Sequence, residues 1–204
     1  MHIPTTITQN CSLNYIRNPM IRGKKSVHIT IDDGPTERYT ENIVHILKAH
    51  KAKATFFVLG EQMEKYPKRA NMLYEFQVAN HGYKHINNWR VRSTEQRENI
   101  QRVEERFPDI EKYYRPPYGF LTITQLLYCY GRLAVKMWTL MTYDFNQYKT
   151  QDALWKRIQS SLRKNRCVLV FHDNIKSSKH TRWLLNRTLL EVKHLSKETV
   201  VYSE

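Results

Sequence analysis

The chain has 204 residues, 41% apolar and 12% aromatic, which allows one globular domain with a sizeable core and argues against disorder. No apolar stretch approaches the roughly 20 residues of a membrane span. Three scattered cysteines, Cys11, Cys129 and Cys167, lack any CxxC spacing and argue against a disulfide framework or a zinc ribbon, and Cys167 reads as a small core residue.

The net charge is +14, from 33 Lys and Arg against 19 Asp and Glu. It suits an anionic polymer, a membrane face or simply a solvated surface. Without a groove-reading motif, specific nucleic-acid binding is not expected.

Residues 1–26 read as a polar, extended lead-in without the apolar region of a secretory signal. The expectation is a cytoplasmic protein, or an exported one whose leader is already absent. The apolar run 27–31 predicts a strand. Residues 40–50 follow with Ile43, Ile46 and Leu47 at helical spacing. The continuous apolar run 54–59 predicts a buried strand, and Pro67 opens a helix over 67–76. A short strand at 78–80 leads to His81. Ser93-Thr94-Glu95-Gln96 reads as a capping box opening a charged helix that runs to 106. Further strands are predicted at 113–115, 134–140, 167–171 and 199–202, with helices at 124–130, 152–162 and 183–195. Strands alternate with helices throughout, so the predicted fold is α/β, a parallel sheet with outer helices. No internal repeat or linker is visible.

The apolar strand runs end in Asp32, His81, Arg115 and His172. That shared polarity fits a barrel whose carboxyl-end loops form one site. Asp32-Asp33-Gly34-Pro35 places adjacent carboxylates at a strand end. Neighbouring side chains on an extended chain point in different directions, so one acid can hold a metal while the other handles a proton. Taken alone, the same residues also suit an ordinary turn. His81-Gly82-Tyr83-Lys84-His85 sets two imidazoles four residues apart, a spacing that lets both face one ion. With Asp33 as third ligand the set suits zinc, and three protein ligands leave open positions for water and substrate. Arg115-Pro116-Pro117-Tyr118-Gly119 reads equally as a rigid bend.

The order of these motifs, followed by Asp144 beyond Trp138 and by the strand-end His172, resembles the NodB-like polysaccharide deacetylases, carbohydrate esterase family 4. The resemblance runs from about Val27 to Tyr202. It implies a distorted (β/α) barrel of about seven parallel strands over 27–204, and an enzyme that removes acetyl from an acetylated saccharide. It also implies a divalent metal, zinc first, with cobalt, nickel or manganese as alternatives. Asp33, His81 and His85 would be the ligands and Asp32 the general base. Arg115 would orient and ionise Asp32, and Tyr118 would offer its backbone N–H to the oxyanion. His172 would be the general acid, kept charged by Asp144. Trp138 would wall the acetyl pocket, with Pro117 and Val170 as further substrate contacts. Gly82 stands where the family usually has Ser or Thr, whose hydroxyl would brace the loop of the second ligand, so a looser His85 is expected. Phe145 replaces the usual Trp.

The chemistry makes the same demands. An amide carbonyl needs a Lewis acid, and a bound metal can bring its water's pKa from 15.7 to about 7. A carboxylate must take the proton, and the departing amine must receive one. Alternatives are cleavage of O-acetyl esters on xylan-like polymers or of cyclic imides by the same residues, and a catalytically weak basic carbohydrate binder. Intact Asp32, Asp33, His81, His85 and His172 argue against the last. A monomer is expected.

Overall fold

The computed structural model describes residues 25–203 and the backbone of a two-residue strand, β1 (Thr6–Ile7). The rest of the predicted lead-in, with Cys11, lies outside the described residues. The chain then runs through β2 (Ser26–Asp32), α1 (Thr40–Ala49), β3 (Thr55–Val58), α2 (Gly60–Lys65), α3 (Pro67–Leu73), β4 (Gln77–Asn80), α4 (Ser93–Arg106) and β5 (Glu111–Tyr114). A 3-10 turn over Pro117–Gly119 precedes β6 (Leu121–Thr122), α5 (Ile123–Cys129), β7 (Ala134–Val135), β8 (Leu140–Met141), α6 (Gln151–Leu162), β9 (Arg166–His172), α7 (Thr181–His194) and β10 (Glu198–Val200). Among the described residues, no helix is long and apolar enough to cross a membrane.

The main sheet has the order β7-β5-β4-β3-β2-β9-β8, with β10 beside the first half of β2, and every pairing is parallel. Its two edge strands, β7 and β8, are consecutive in the chain. The five steps from Val135 to Leu140 can span at most roughly 17 Å, so the sheet must curl until its edges nearly meet. This corrects the single strand predicted over 134–140. Residues 136–139 leave one edge and join the other: Lys136 N–H donates to Tyr114 C=O at 2.9 Å, and Thr139 N–H donates to Val168 C=O at 3.0 Å.

Alternation along the strands sorts side chains into two environments. Ile29, Ile31, Phe56, Leu169 and Phe171 face outward and pack on Leu47, Ile158 and Leu184 of the helices. The other register faces into the barrel, where Phe57, Tyr113, Val168 and Tyr202 cluster. Buried His28, Thr30 and Lys136 belong to the same register. The Lys136 ammonium lies 4.5 Å from the Tyr113 ring and 4.9 Å from the Tyr202 ring. Burial lowers its pKa to about 8. Burial, with the charges of Lys136 and Arg115, lowers that of His28 to about 4.

Two further differences from the sequence reading have local causes. Helix α2 carries too short an apolar pattern to announce itself. The predicted capping box at Ser93 does not form, because the N-cap is Arg92 and the Ser93 hydroxyl instead meets the Thr124 hydroxyl at 3.0 Å. A capping box does form one helix later, between Thr122 and Gln125.

Candidate active site

Asp32 ends β2, paired in register with His172 at the end of β9. The Asp32 carboxylate is buried and accepts a 2.7 Å hydrogen bond from Arg115 Nη1. Arg115 has no exposed surface. Its Nη1 also reaches the Thr30 hydroxyl, its Nε reaches Lys136 C=O, and its Nη2 lies 3.3 Å from the Tyr202 hydroxyl. The guanidinium sits 4.0 Å above the Phe57 ring. So many partners fix its plane and satisfy a cation that burial would otherwise penalise heavily.

Asp33 adopts a left-handed backbone, φ 79°. Its Oδ1 lies 3.5 Å from His81 Nε2 and 3.4 Å from His85 Nε2. The three groups offer ligand atoms within 4.8 Å of one another. Oδ1 is buried and, among the described residues, accepts no aligned hydrogen bond, as suits an atom reserved for a cation. His81 Nδ1 lies 2.7 Å from Arg115 C=O, to which it can only donate, so in the neutral ring the Nε2 lone pair is left for a metal ion. Burial alone would raise the Asp33 carboxyl. The approach of His81, together with the charges of His172 and His85, holds it well below the usual carboxylate range. The residues present fit a divalent ion.

On the other side, His172 Nδ1 lies 2.7 Å from Asp144 Oδ1, and the His172 N–H donates to Asp144 Oδ2 at 2.8 Å. The Thr181 hydroxyl donates to the same oxygen at 2.6 Å. Burial by itself would lower the His172 pKa. The Asp144 carboxylate overrides it through charge and hydrogen bond, aided by Asp33 and Asp32, and the value rises to about 9. The Phe145 ring stands edge-on to the imidazole, 4.9 Å between centroids.

Tyr118 and Tyr143 are also left-handed, with φ 58° and 60°. Three site loops therefore hold non-glycine residues in a sparsely populated conformation, a pattern that clusters at functional sites. Trp138 lies on the crossing segment, with the Arg115 guanidinium 5.7 Å from its ring. Pro117 is buried, and Val170 has no exposed surface at all. Val170 is thus sealed beneath the site, so the direct substrate contact expected of it has no open face.

This geometry has a counterpart among known proteins. The family model described as polysaccharide deacetylase matches residues 20–138. The chain belongs to the polysaccharide deacetylase family. A peptidoglycan-N-acetylglucosamine deacetylase of Bacillus cereus is 35% identical over 129 residues, 60% of this chain and 47% of that relative. The peptidoglycan-N-acetylglucosamine deacetylase PgdA of Listeria monocytogenes is 29% identical over 192 residues, 91% of this chain and 40% of the relative. The chain thus spans less than half the length of these two curated relatives. The crystal structure of the Bc1960 peptidoglycan N-acetylglucosamine deacetylase superposes with a TM-score of 0.80 at 28% identity, covering 87% of this chain and 86% of that one. Asp144 and His172 lie beyond the stretch that the family model matches.

Sequence reasoning missed the residues that brace this candidate site. Gly82 has φ 93°, a backbone that strains any side chain, and an added Cβ would run into the Asn99 amide. The expected hydroxyl brace is replaced by asparagines. Asn80 Oδ1 accepts from Gly82 N–H at 2.7 Å, Asn99 Oδ1 accepts from Lys84 N–H at 2.8 Å, and Asn99 Nδ2 donates to Lys84 C=O at 3.0 Å. The loop carrying His85 is therefore tied to α4, contrary to the looser hold expected. Asp173 receives the Thr36 and Thr40 hydroxyls at 2.6 and 2.5 Å. Burial raises its pKa to about 6 against those bonds. Asn174 donates to Asp33 Oδ2 at 2.6 Å. The one available signal was their place directly after a strand-end histidine.

Proposed function

We propose that this chain is a metal-dependent hydrolase that removes N-acetyl groups from an N-acetylated sugar, with residues 27–204 as its catalytic domain. The observation that carries the reading is one arrangement: the Asp32–Arg115 and Asp144–His172 pairs lie at neighbouring strand ends beside the ligand set Asp33, His81 and His85. Two imidazoles and one carboxylate suit zinc first. When bound, the ion would polarise the amide carbonyl and acidify a water.

Asp32, held by Arg115, takes the water's proton. The Tyr118 backbone N–H donates to the oxyanion, an interaction typically worth about 3 kcal/mol. His172 is cationic at neutral pH and gives its proton to the departing amine, while Asp144 keeps the ring oriented and charged. Trp138 walls the acetyl methyl, with Pro117 and Val170 shaping the floor from beneath. The names of the relatives make glycans of N-acetylglucosamine the first substrates to try, and a charge of +14 would help to gather an acidic one.

The test is acetate release from N-acetylglucosamine oligomers and from acetylated xylan, with zinc, with cobalt and with chelator. Metal-dependent release from the amide substrates supports the reading. Release from xylan alone would replace it with the esterase, and release that survives chelation would remove the metal from it. Zinc titration by calorimetry checks the ligands separately, since His81→Ala should no longer bind the ion.

A further inference from the structure

The two loops that follow β4 and β5 carry a row of rings that begins at a metal ligand and runs on through three rings, those of Tyr118, Phe120 and Trp89, that the chemistry above does not use. It starts at His85, whose imidazole meets the Tyr118 ring edge-on at 4.5 Å. Tyr118 lies 6.3 Å from Phe120, with ring planes 22° apart. Phe120 is stacked on Trp89 at 3.8 Å and 11°. Tyr118 is 54% exposed and Trp89 46%, so both present apolar faces to water. None of these three rings belongs to the buried clusters that hold the barrel and its helices together.

The row is nevertheless built, not loose. Asn88, with 1% exposed surface, donates from Nδ2 to Phe120 C=O at 2.6 Å, tying one loop to the other. Asn87 Oδ1 accepts from Trp89 N–H at 3.0 Å. Tyr118 is held in a left-handed backbone. Ordering exposed aromatic rings costs side-chain entropy and leaves apolar area in water, so folding alone does not account for the row.

We infer that Tyr118, Phe120 and Trp89 form a glycan-binding platform that receives sugar units beyond the one being deacetylated. The ligand is a β-linked N-acetylhexosamine chain, whose pyranose rings present flat C–H faces to aromatic rings. Continuity with the ligand His85 sets its direction: the chain leaves the reacting sugar over Tyr118 and crosses the stacked Phe120–Trp89 pair. This inference rests on the deacetylase reading for where the chain starts, but not for whether the platform binds it.

The experiment compares the zinc-loaded full chain with its Trp89→Ala and Trp89→Phe variants on N-acetylglucosamine oligomers of one to five units. It reads acetate release, and separately reads binding of the pentamer by calorimetry. The wild type should show kcat/KM rising with chain length, mainly through KM. Trp89→Ala should lower the pentamer-to-monomer ratio of kcat/KM about tenfold, the size expected when a ring that anchors a ligand is truncated. Trp89→Phe, which keeps a ring, should retain most of it. Calorimetry should show the same order of affinities. Acetate release that is indifferent to chain length, or equally length-dependent in Trp89→Ala, overturns the platform and leaves the deacetylase reading standing. Pentamer binding that depends on Trp89 without any acetate release overturns the deacetylase reading and keeps the platform. Neither binding nor release overturns both.

Discussion

The two faces of the sheet obey different rules. Outside, Ile29, Ile31, Leu169 and Phe171 meet helices through apolar packing alone, and none of these side chains carries charge. Inside, on the alternate positions of the same strands and their connections, Arg115, His28, Lys136 and Asp32 are buried among tyrosines. The outer face resembles the interior of any α/β protein and contributes most of the hydrophobic drive. The inner face is costly to bury and stays folded only because nearly every charge has a partner. The barrel thus separates stability from chemistry by the alternation of its strands. Substitutions on the two sides should therefore fail in different ways.

The largest contrast is expected at Asp32. Asp32→Asn should lower turnover by about 10²–10⁴-fold while zinc binding, measured by calorimetry, persists. A variant that kept most of its activity would remove Asp32 as the base. Next in size, Arg115→Leu should cost about 3–5 kcal/mol, because it leaves the Asp32 carboxylate buried and unpaired. Leu169→Ala on the outer face should cost about 2–5 kcal/mol by cavity formation. Denaturant melts of Asp32→Asn/Arg115→Leu and Leu169→Ala/Arg115→Leu separate the two causes. The neutral partner should relieve the Arg115 penalty, whereas the cavity should simply add to it.

A smaller effect concerns pH. The His172 pKa is raised from 6.5 to about 9 in the folded chain, so its contribution to stability is complete below pH 6.5 and is lost as pH rises through 9. Asp144→Asn should remove that dependence, and NMR titration of the metal-free protein should find the ring neutral well below pH 9. An unchanged titration would show that Asp144 is not its main partner. The smallest change is Tyr202→Phe, which deletes one 3.3 Å hydrogen bond with Arg115 and should cost about 0.5–1.5 kcal/mol in a thermal melt.

How much of this was legible in the sequence follows the same division. The outer face announces itself as apolar runs, so the strands ending at Asp32 and His172 could be placed from residue type alone. The strand-end acids and histidines were visible as departures from those runs. What stayed hidden was whatever depends on a partner far along the chain. Asn174 meets Asp33 across 141 residues, and Asp173 meets Thr36 across 137. No local pattern distinguishes such an Asn or Asp from an ordinary turn residue. The break of 134–140 into two strands was hidden for the same reason, since only the curl of the whole sheet demands that crossing. Gly82 illustrates the converse: a departure that suggested a weaker loop is required by a left-handed backbone, with its support supplied from Asn80 and Asn99.

The run His172-Asp173-Asn174 has a consequence for how the chain can vary. Each of these consecutive residues holds a different arm of the site: Asp144, the start of α1, and Asp33. A deletion of one residue anywhere in β9 would advance all three anchors together and turn each to the wrong side of the strand. The strand therefore serves as a ruler whose zero mark is the reaction centre. Length changes can accumulate in the loops around it, but none can be absorbed within it.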